Sequence, residues 1–88
     1  MSSKATFPAW WNWELSFTGH AELRMTQRSV TEVDVRAMLE PATTYEPSVV
    51  EGRFMIHTVH KRRSWIVIVE PDPHATLLVV VTPYEVSE

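Results

Sequence analysis

The spacing of apolar residues changes along the chain and predicts both strands and helices. Trp13, Leu15 and Phe17 alternate with polar residues, which is the period-two pattern of a strand with one buried face. Between positions 20 and 40 the apolar residues recur at helical spacing, and after Pro41 strand-like runs dominate. This order predicts an α+β fold in which the helices precede most of the sheet.

Two short helices are predicted after the first strand. The residues able to cap the first helix are Ser16, Thr18 and Gly19. This helix is expected to end near Arg28. Thr31 and Asp34 resemble a capping box that opens the second helix, and Pro41 is expected to stop it.

The remaining strand segments predict an antiparallel meander. The candidate segments are 45–50, 53–59, 65–69 and 77–82. Pro47 places the first of them at a sheet edge, whereas segment 65–69 is apolar on both faces, as a central strand is. A turn at 61–63 and a proline-rich break at 71–73 separate the later segments. We therefore expect two N-terminal helices packed on a three- to four-stranded antiparallel sheet, with or without one leading strand.

Length and composition limit the kinds of site that the chain can carry. Its 88 residues suit one domain at 14–88, preceded by a tryptophan-rich segment at 1–13. The absence of cysteine excludes disulfides and thiol nucleophiles, and no His, Asp or Glu set has metal-ligand spacing, so neither metal nor cofactor is expected. No apolar run approaches the roughly 18 residues of a membrane helix. We expect a cytoplasmic protein with no membrane partner.

Positive charge is concentrated in one part of an acidic chain. The net charge is −3, yet positions 52–69 contain no acidic residue and include Arg53, Lys61, Arg62 and Arg63. Such a patch suits one or a few phosphates better than a long duplex. The alternative is a charged hairpin turn at 61–63 without any partner.

A helical stripe adds a second group of cations. His20, Arg24 and Arg28 are four residues apart, so they share one side of the first predicted helix. Stacked cations repel one another by roughly 0.2–0.5 kcal/mol per pair, which indicates an anionic partner rather than a stabilising role. The alternative is an ordinary solvated helix face.

Several short motifs together resemble the small RelE/ParE-like toxin superfamily. They are His20-x3-Arg24-x3-Arg28, Val30-Thr31-Glu32, Gly52-Arg53 and Val80-Val81-Thr82-Pro83-Tyr84. The chain is most similar, over about residues 14–85, to an uncharacterised branch with this first-helix spacing. Pro83 departs from the β-branched residue expected there.

The resemblance implies a RelE-like fold, shared with barnase-, EndoU- and colicin-type ribonucleases, and metal-free RNA cleavage without a cofactor. It implies a toxin of a toxin–antitoxin or related conflict system, with RNA, including ribosome-bound mRNA, as substrate and an antitoxin protein as partner. Other members poison gyrase or have no established activity.

Metal-free RNA cleavage needs a base, an acid and cations around the phosphate, and the chain has these residue types. The residues expected to act in catalysis are His20, Arg24, Arg28, His57 and Tyr84. Those expected to hold phosphate or RNA are Arg53, Lys61, Arg62, Arg63 and Thr82. His60 and His74 lie at or beside predicted turns and receive no role.

The clustered tryptophans indicate a partner surface. Trp10 and Trp11 point to opposite faces if their segment is extended, so one of them is expected to be exposed to an antitoxin, a second copy of the chain or stacked bases. The alternative is an N-terminal strap packed on the sheet.

Two functions remain open from the sequence. The leading hypothesis is a toxin-like endoribonuclease, a hydrolase that binds RNA. The alternative is a RelE/ParE-fold binding module without nuclease activity, which acts on a protein partner such as gyrase. The acidic net charge favours the second, whereas the cationic stripe and the resemblance favour the first.

Overall fold

A computed structural model describes residues 8–42 and 44–86. Its elements are a 3-10 helix at Ala9–Asn12, strand β1 at Glu14–Phe17, helix α1 at Gly19–Gln27, helix α2 at Glu32–Leu39, and strands β2 at Thr44–Pro47, β3 at Phe54–His60, β4 at Arg63–Asp72 and β5 at Leu77–Glu85. The two predicted helices and the α+β class are confirmed. In the described part of the chain, no helix is long and apolar enough to cross a membrane.

The sheet has five strands in the order β1-β5-β4-β3-β2, so the expected three to four strands are too few. β1 is the leading strand that the sequence allowed, and it pairs parallel to β5, with Phe17 opposite Val80. All other pairs are antiparallel. β4 is the central strand, as its apolar composition predicted. Pairing the first strand with the last depends on packing across the whole chain, which local periodicity does not encode.

Two prolines do not end strands where the sequence predicted. β4 continues through Pro71 to Asp72, and the turn falls at 73–76. β5 continues through Pro83 to Glu85. β1 ends opposite Val80, so among the described residues this half of β5 has a strand neighbour on its β4 side only. A missing N–H is tolerated at such an edge.

The turn between β3 and β4 contains two residues rather than the predicted three. His60 pairs with Arg63, so Arg63 belongs to β4 and only Lys61 and Arg62 form the turn. Both have positive φ, at 53° and 69°. This is the pattern of a type I′ turn, which usually carries Asn or Gly at both positions.

Capping interactions fix the ends of both helices. The Thr18 hydroxyl accepts a hydrogen bond from the Ala21 N–H, and the predicted capping box between Thr31 and Asp34 is present. α1 ends in a Schellman motif, because the N–H of Val30 donates to the Met25 carbonyl while Ser29 adopts a φ of 59°. This sharp turn directs the chain from Arg28 into α2.

Both helices pack on one face of the sheet and leave the other face open. The core residues are Ala21, Met25, Val30, Val35, Met38, Ala42, Ile56, Trp65, Val67, Val69, Leu78 and Val80. The Thr58 hydroxyl, also on this face, donates to the Met38 carbonyl at the end of α2. Because strand residues alternate between faces, the side chains between these core positions form the open face.

Candidate phosphate-binding site

The predicted cationic stripe is present on α1. His20, Arg24 and Arg28 are all exposed, whereas the neighbouring stripe of Ala21 and Met25 is buried in the core. Within residues 8–42 and 44–86, no carboxylate lies within 4 Å of any stripe side chain. The three groups therefore face solvent without internal neutralisation. We call them the helix stripe.

The two ends of α1 are held next to the second half of β5. At the start, the Thr18 N–H donates to the Val80 carbonyl at 3.3 Å and the Thr18 hydroxyl donates to the Val81 carbonyl at 3.4 Å. At the other end, Arg28 borders the same cavity as Glu85, the last residue of β5. The helix stripe therefore leads from the middle of β5 towards the β3–β4 turn.

A small cavity lies where the helix stripe ends. It measures about 200 Å³ and is lined by Arg28, Ser29, Val30, His60, Lys61, Arg63, Trp65 and Glu85. The α1–α2 turn supplies one wall and the β3–β4 hairpin supplies the other. We call this space the Arg28 cavity. The cavity lies between Arg28 of the helix stripe and two basic residues of the β3–β4 hairpin, Lys61 and Arg63, which are distant from Arg28 in the sequence.

The Arg28 cavity has an excess of positive charge. Arg63 donates to a Glu85 carboxylate oxygen at 2.8 Å, and this hydrogen bond raises the pKa of the guanidinium. Arg28 and Lys61 have no carboxylate within 4 Å in the described chain. Without counting His60, the lining side chains therefore have a net charge of about +2.

Asp34 is an acidic residue near the positive charges of the Arg28 cavity. The Thr31 backbone N–H donates to its carboxylate at 3.0 Å and lowers the pKa of Asp34, and the charges of His60 and Lys61 lower it further. Asp34 therefore lies near His60 and Lys61, but it does not line the cavity. Its direct hydrogen bonds are those of the capping box.

Trp65 forms a buried part of the cavity wall and has an unsatisfied donor. Its side chain is almost completely buried, and its Nε1 has no hydrogen-bond partner among the described residues. The His60 ring meets the Trp65 ring edge-on, with the ring centroids 5.8 Å apart. A residue that lines this positively charged cavity therefore carries a buried donor without a partner among the described residues.

His57, Thr82 and Tyr84 lie on the open face. Ile66 separates His57 from Tyr84 in one row across three strands, because it pairs with both residues, and Thr82 is opposite Ile68. His57 Nε2 is 2.7 Å from a Glu46 carboxylate oxygen. Two strands of this face, β3 and β5, thus carry an imidazole, a phenol and a hydroxyl, on the side of the sheet opposite the helices.

Arg53 is also engaged by a carboxylate. Its Nε donates to Glu70 Oε1 at 2.9 Å, across the β3–β4 pair. Arg62 occupies the tip of the hairpin and is exposed, but it does not line the Arg28 cavity. The predicted site residues are therefore divided between the helix stripe, the cavity and the open face, and are not gathered in one place.

Trp10 and Trp11 contact the body of the protein. The Trp10 ring is 5.0 Å from the Phe54 ring and 5.5 Å from the Tyr45 ring, measured between centroids, and Trp11 is 5.4 Å from Tyr45. Both tryptophans are half-buried against the core cluster. This geometry is that of the strap considered as the alternative to a partner surface. Residues 1–7 of the predicted N-terminal segment lie outside the described residues.

Sequence reasoning missed His60 and Trp65. His60 was set aside because it adjoins a turn, yet that turn brings it into the cavity beside Arg28. The sequence around Trp65 indicates only a buried strand residue. Only the tertiary structure shows that its N–H has no hydrogen-bond partner among the described residues. For His60, the available signal was its position next to Lys61 and Arg62. For Trp65, the sequence contained no such signal.

Neither a metal site nor a relative identifies this arrangement. Among residues 8–42 and 44–86, no group of three or more His, Asp or Glu side chains could hold a metal ion. Comparison with family models, curated proteins and solved structures found no match to the chain.

Proposed function

We propose that this protein is a toxin-like, metal-free endoribonuclease that binds the RNA backbone along the helix stripe and in the Arg28 cavity. The observation that carries the proposal is the continuity of the two features: Arg28 belongs to the exposed stripe and also lines the cavity. A helix rises about 1.5 Å per residue, so the stripe residues are about 6 Å apart. That spacing allows successive phosphates of one strand to meet successive stripe residues.

The helix stripe supplies the base and the cations needed for RNA cleavage, and because it is exposed, the departing 5′-oxygen takes its proton from solvent. His20 can remove the 2′-hydroxyl proton, since an imidazole nitrogen can act as a general base. Arg24, one turn away, can stabilise the negative charge that develops on the phosphorus-bound oxygens. Arg28 and the cavity then anchor the strand. This assignment uses no group of the open face, where Glu46 and Glu70 engage His57 and Arg53.

The direct test is RNA cleavage by the purified chain in EDTA. His20→Ala is expected to lower the cleavage rate by about 10²–10⁴-fold, because general acid–base catalysis contributes that much. Arg24→Ala is expected to lower it by about 10²–10³-fold through lost charge stabilisation. The matched controls are His74→Ala and Arg36→Ala, which remove exposed side chains of the same types outside the stripe and the cavity. Both controls should retain full activity.

Two outcomes would contradict the proposal. One is an absence of cleavage by wild-type protein on bare RNA and also on translating ribosomes. The other is cleavage that His20→Ala leaves unchanged. Far-UV circular dichroism of each variant shows whether a lost activity reflects a lost fold.

The open face favours the second candidate, a binding module for a protein partner such as gyrase. Met55, Ile66, Ile68 and Val79 are partly exposed there, and no helix in the described chain packs on them. Such a patch is typical of a protein interface. If this function is correct, the chain inhibits gyrase supercoiling, Ile68→Lys abolishes the inhibition and His20→Ala does not. Inhibition that Ile68→Lys leaves unchanged would exclude this face.

A further inference from the structure

We propose that the Arg28 cavity recognises a terminal phosphate monoester and that the Trp65 indole N–H is one of its hydrogen-bond donors. The inference rests on the proposed function, because it assigns to that RNA site the chemical group that occupies the Arg28 cavity. The helix stripe would then follow the strand away from this anchored terminus.

The charge of the cavity fits a monoester better than an internal diester. Arg28 and Lys61 supply two positive charges with no carboxylate partner among the described residues, whereas Arg63 is neutralised by Glu85. A phosphate monoester carries about −1.5 to −2 at pH 7, and a backbone phosphate carries a single charge. The terminal group therefore matches the net charge of the cavity.

The size of the cavity also favours a single phosphate group. Sites for drug-sized ligands typically measure about 300–1,000 Å³. The Arg28 cavity, at about 200 Å³, suits one compact charged group rather than a whole nucleotide. Arg28 belongs both to the cavity lining and to the helix stripe, so a chain attached to the phosphate can continue along the stripe.

The unsatisfied Trp65 donor is an independent indication of a ligand. Buried N–H groups in proteins are almost always hydrogen-bonded, so one without a partner calls for an acceptor. Nε1 itself is not accessible to solvent, so a phosphate oxygen reaches it only when side chains of the cavity wall shift, as the long, exposed side chains of Lys61 and Arg63 can. Trp65 also borders a second hollow, but no lysine or arginine lines it. The charged cavity is therefore the better source of an anionic acceptor.

The first experiment follows the four tryptophan indole N–H signals by NMR during titration with inorganic phosphate in phosphate-free buffer. Trp65→Phe assigns the Trp65 signal. We expect this signal to shift saturably and Arg28→Ala to weaken phosphate binding at least tenfold. Arg36→Ala, a matched arginine outside the cavity, should change the affinity less than twofold. An unmoved Trp65 signal, or equal effects of the two arginine variants, would overturn the assignment.

A second titration distinguishes the possible sources of the group. Adenosine 5′-monophosphate is compared with dimethyl phosphate, and short RNAs with a 5′-phosphate or a 3′-phosphate are compared with the unphosphorylated RNA. A preference of at least tenfold for one phosphorylated end supports the proposal and identifies that end. Equal affinity for monoester and diester, or for all three RNAs, would overturn it.

These results separate the cavity from the nuclease. If phosphate binds as expected and RNA is never cleaved, the proposed nuclease fails while the cavity assignment survives. If RNA is cleaved but terminal phosphate has no effect on binding and Trp65 does not respond, the cavity assignment fails while the nuclease survives.

Discussion

At the residue scale, single polar groups fix how the helices meet the sheet. Thr58 is a buried hydroxyl on β3, and its only described hydrogen bond is to the Met38 carbonyl in the last turn of α2. Carbonyls in a last helical turn lack intrahelical partners, so this bond satisfies a group that the helix cannot satisfy itself. Thr58 therefore joins α2 to β3 and positions the hairpin that forms the cavity.

Thr58→Val is expected to destabilise the protein by about 1–3 kcal/mol, because it leaves the buried Met38 carbonyl without a donor while nearly conserving volume. The free energy of unfolding from urea denaturation measures this effect. Thr82→Val is the matched control, since Thr82 is partly exposed on the open face and has no hydrogen bond from its side chain in the described chain. Equal losses in the two variants would contradict the role of Thr58.

Asp34 is expected to make stability depend on pH at the acid end. Its pKa is lowered in the folded state, first by the Thr31 backbone N–H, from an ordinary value of 3.8. A lowered folded pKa means that the carboxylate stabilises the fold fully above 3.8 and loses this contribution as pH falls through the folded pKa. The measurement is the difference in unfolding free energy between wild type and Asp34→Asn from pH 2 to 7. A difference that does not shrink in acid would contradict it.

At the element scale, the β3–β4 hairpin combines backbone strain with positive charge. Lys61 and Arg62 occupy both left-handed positions of the turn, where residues other than Gly, Asn and Asp cost about 1–2 kcal/mol each. Asn-Gly would form the same turn without that cost. Strained residues of this kind commonly mark functional sites, and here the turn holds Lys61 at the edge of the Arg28 cavity.

The double variant Lys61→Asn/Arg62→Gly is expected to raise stability by about 1–3 kcal/mol and to weaken RNA binding. Chemical denaturation and RNA titration measure the two effects. Lys61→Gln/Arg62→Gln is the control, because it removes the charges but keeps both β-carbons; it should weaken binding without raising stability. Equal stabilisation by both double variants would show that charge repulsion, rather than backbone strain, was relieved.

At the scale of the whole molecule, the protein has a negative net charge but carries a cationic path, which consists of the helix stripe and the Arg28 cavity. The net charge of −3 opposes general attraction to nucleic acids, so binding depends on the few cations of the helix stripe and the cavity. Elsewhere in the described chain, carboxylates engage Arg53 and His57. The molecule therefore favours a short contact with one strand over long, non-specific binding.

Salt dependence is expected to report this short contact. If Arg24, Arg28 and Lys61 each neutralise one phosphate of single-stranded RNA, the slope of log K against log salt is about −2, because each phosphate contributes about −0.7. Arg24→Ala should make the slope shallower by about 0.7, and Arg36→Ala should leave it unchanged. Fluorescence anisotropy between 50 and 300 mM KCl measures the slopes. A wild-type slope near zero would exclude the proposed path.

The sequence by itself determined the features that depend on residues a few positions apart. The Thr31–Asp34 pair identified the start of α2, Thr18 was one of three residues expected to cap α1, and the doubly apolar segment 65–69 identified the central strand. The exposed helix stripe also follows from spacing alone, since residues four apart share one side of a helix.

Only the tertiary structure decided which distant residues meet. It paired β1 with β5, carried both strands of the β4–β5 hairpin past prolines, and brought His60 and Trp65 beside Arg28 while leaving His57 and Tyr84 on the opposite face. These outcomes depend on sheet register and on core packing between segments far apart in the chain. Capping and periodicity are local, so they do not contain that information.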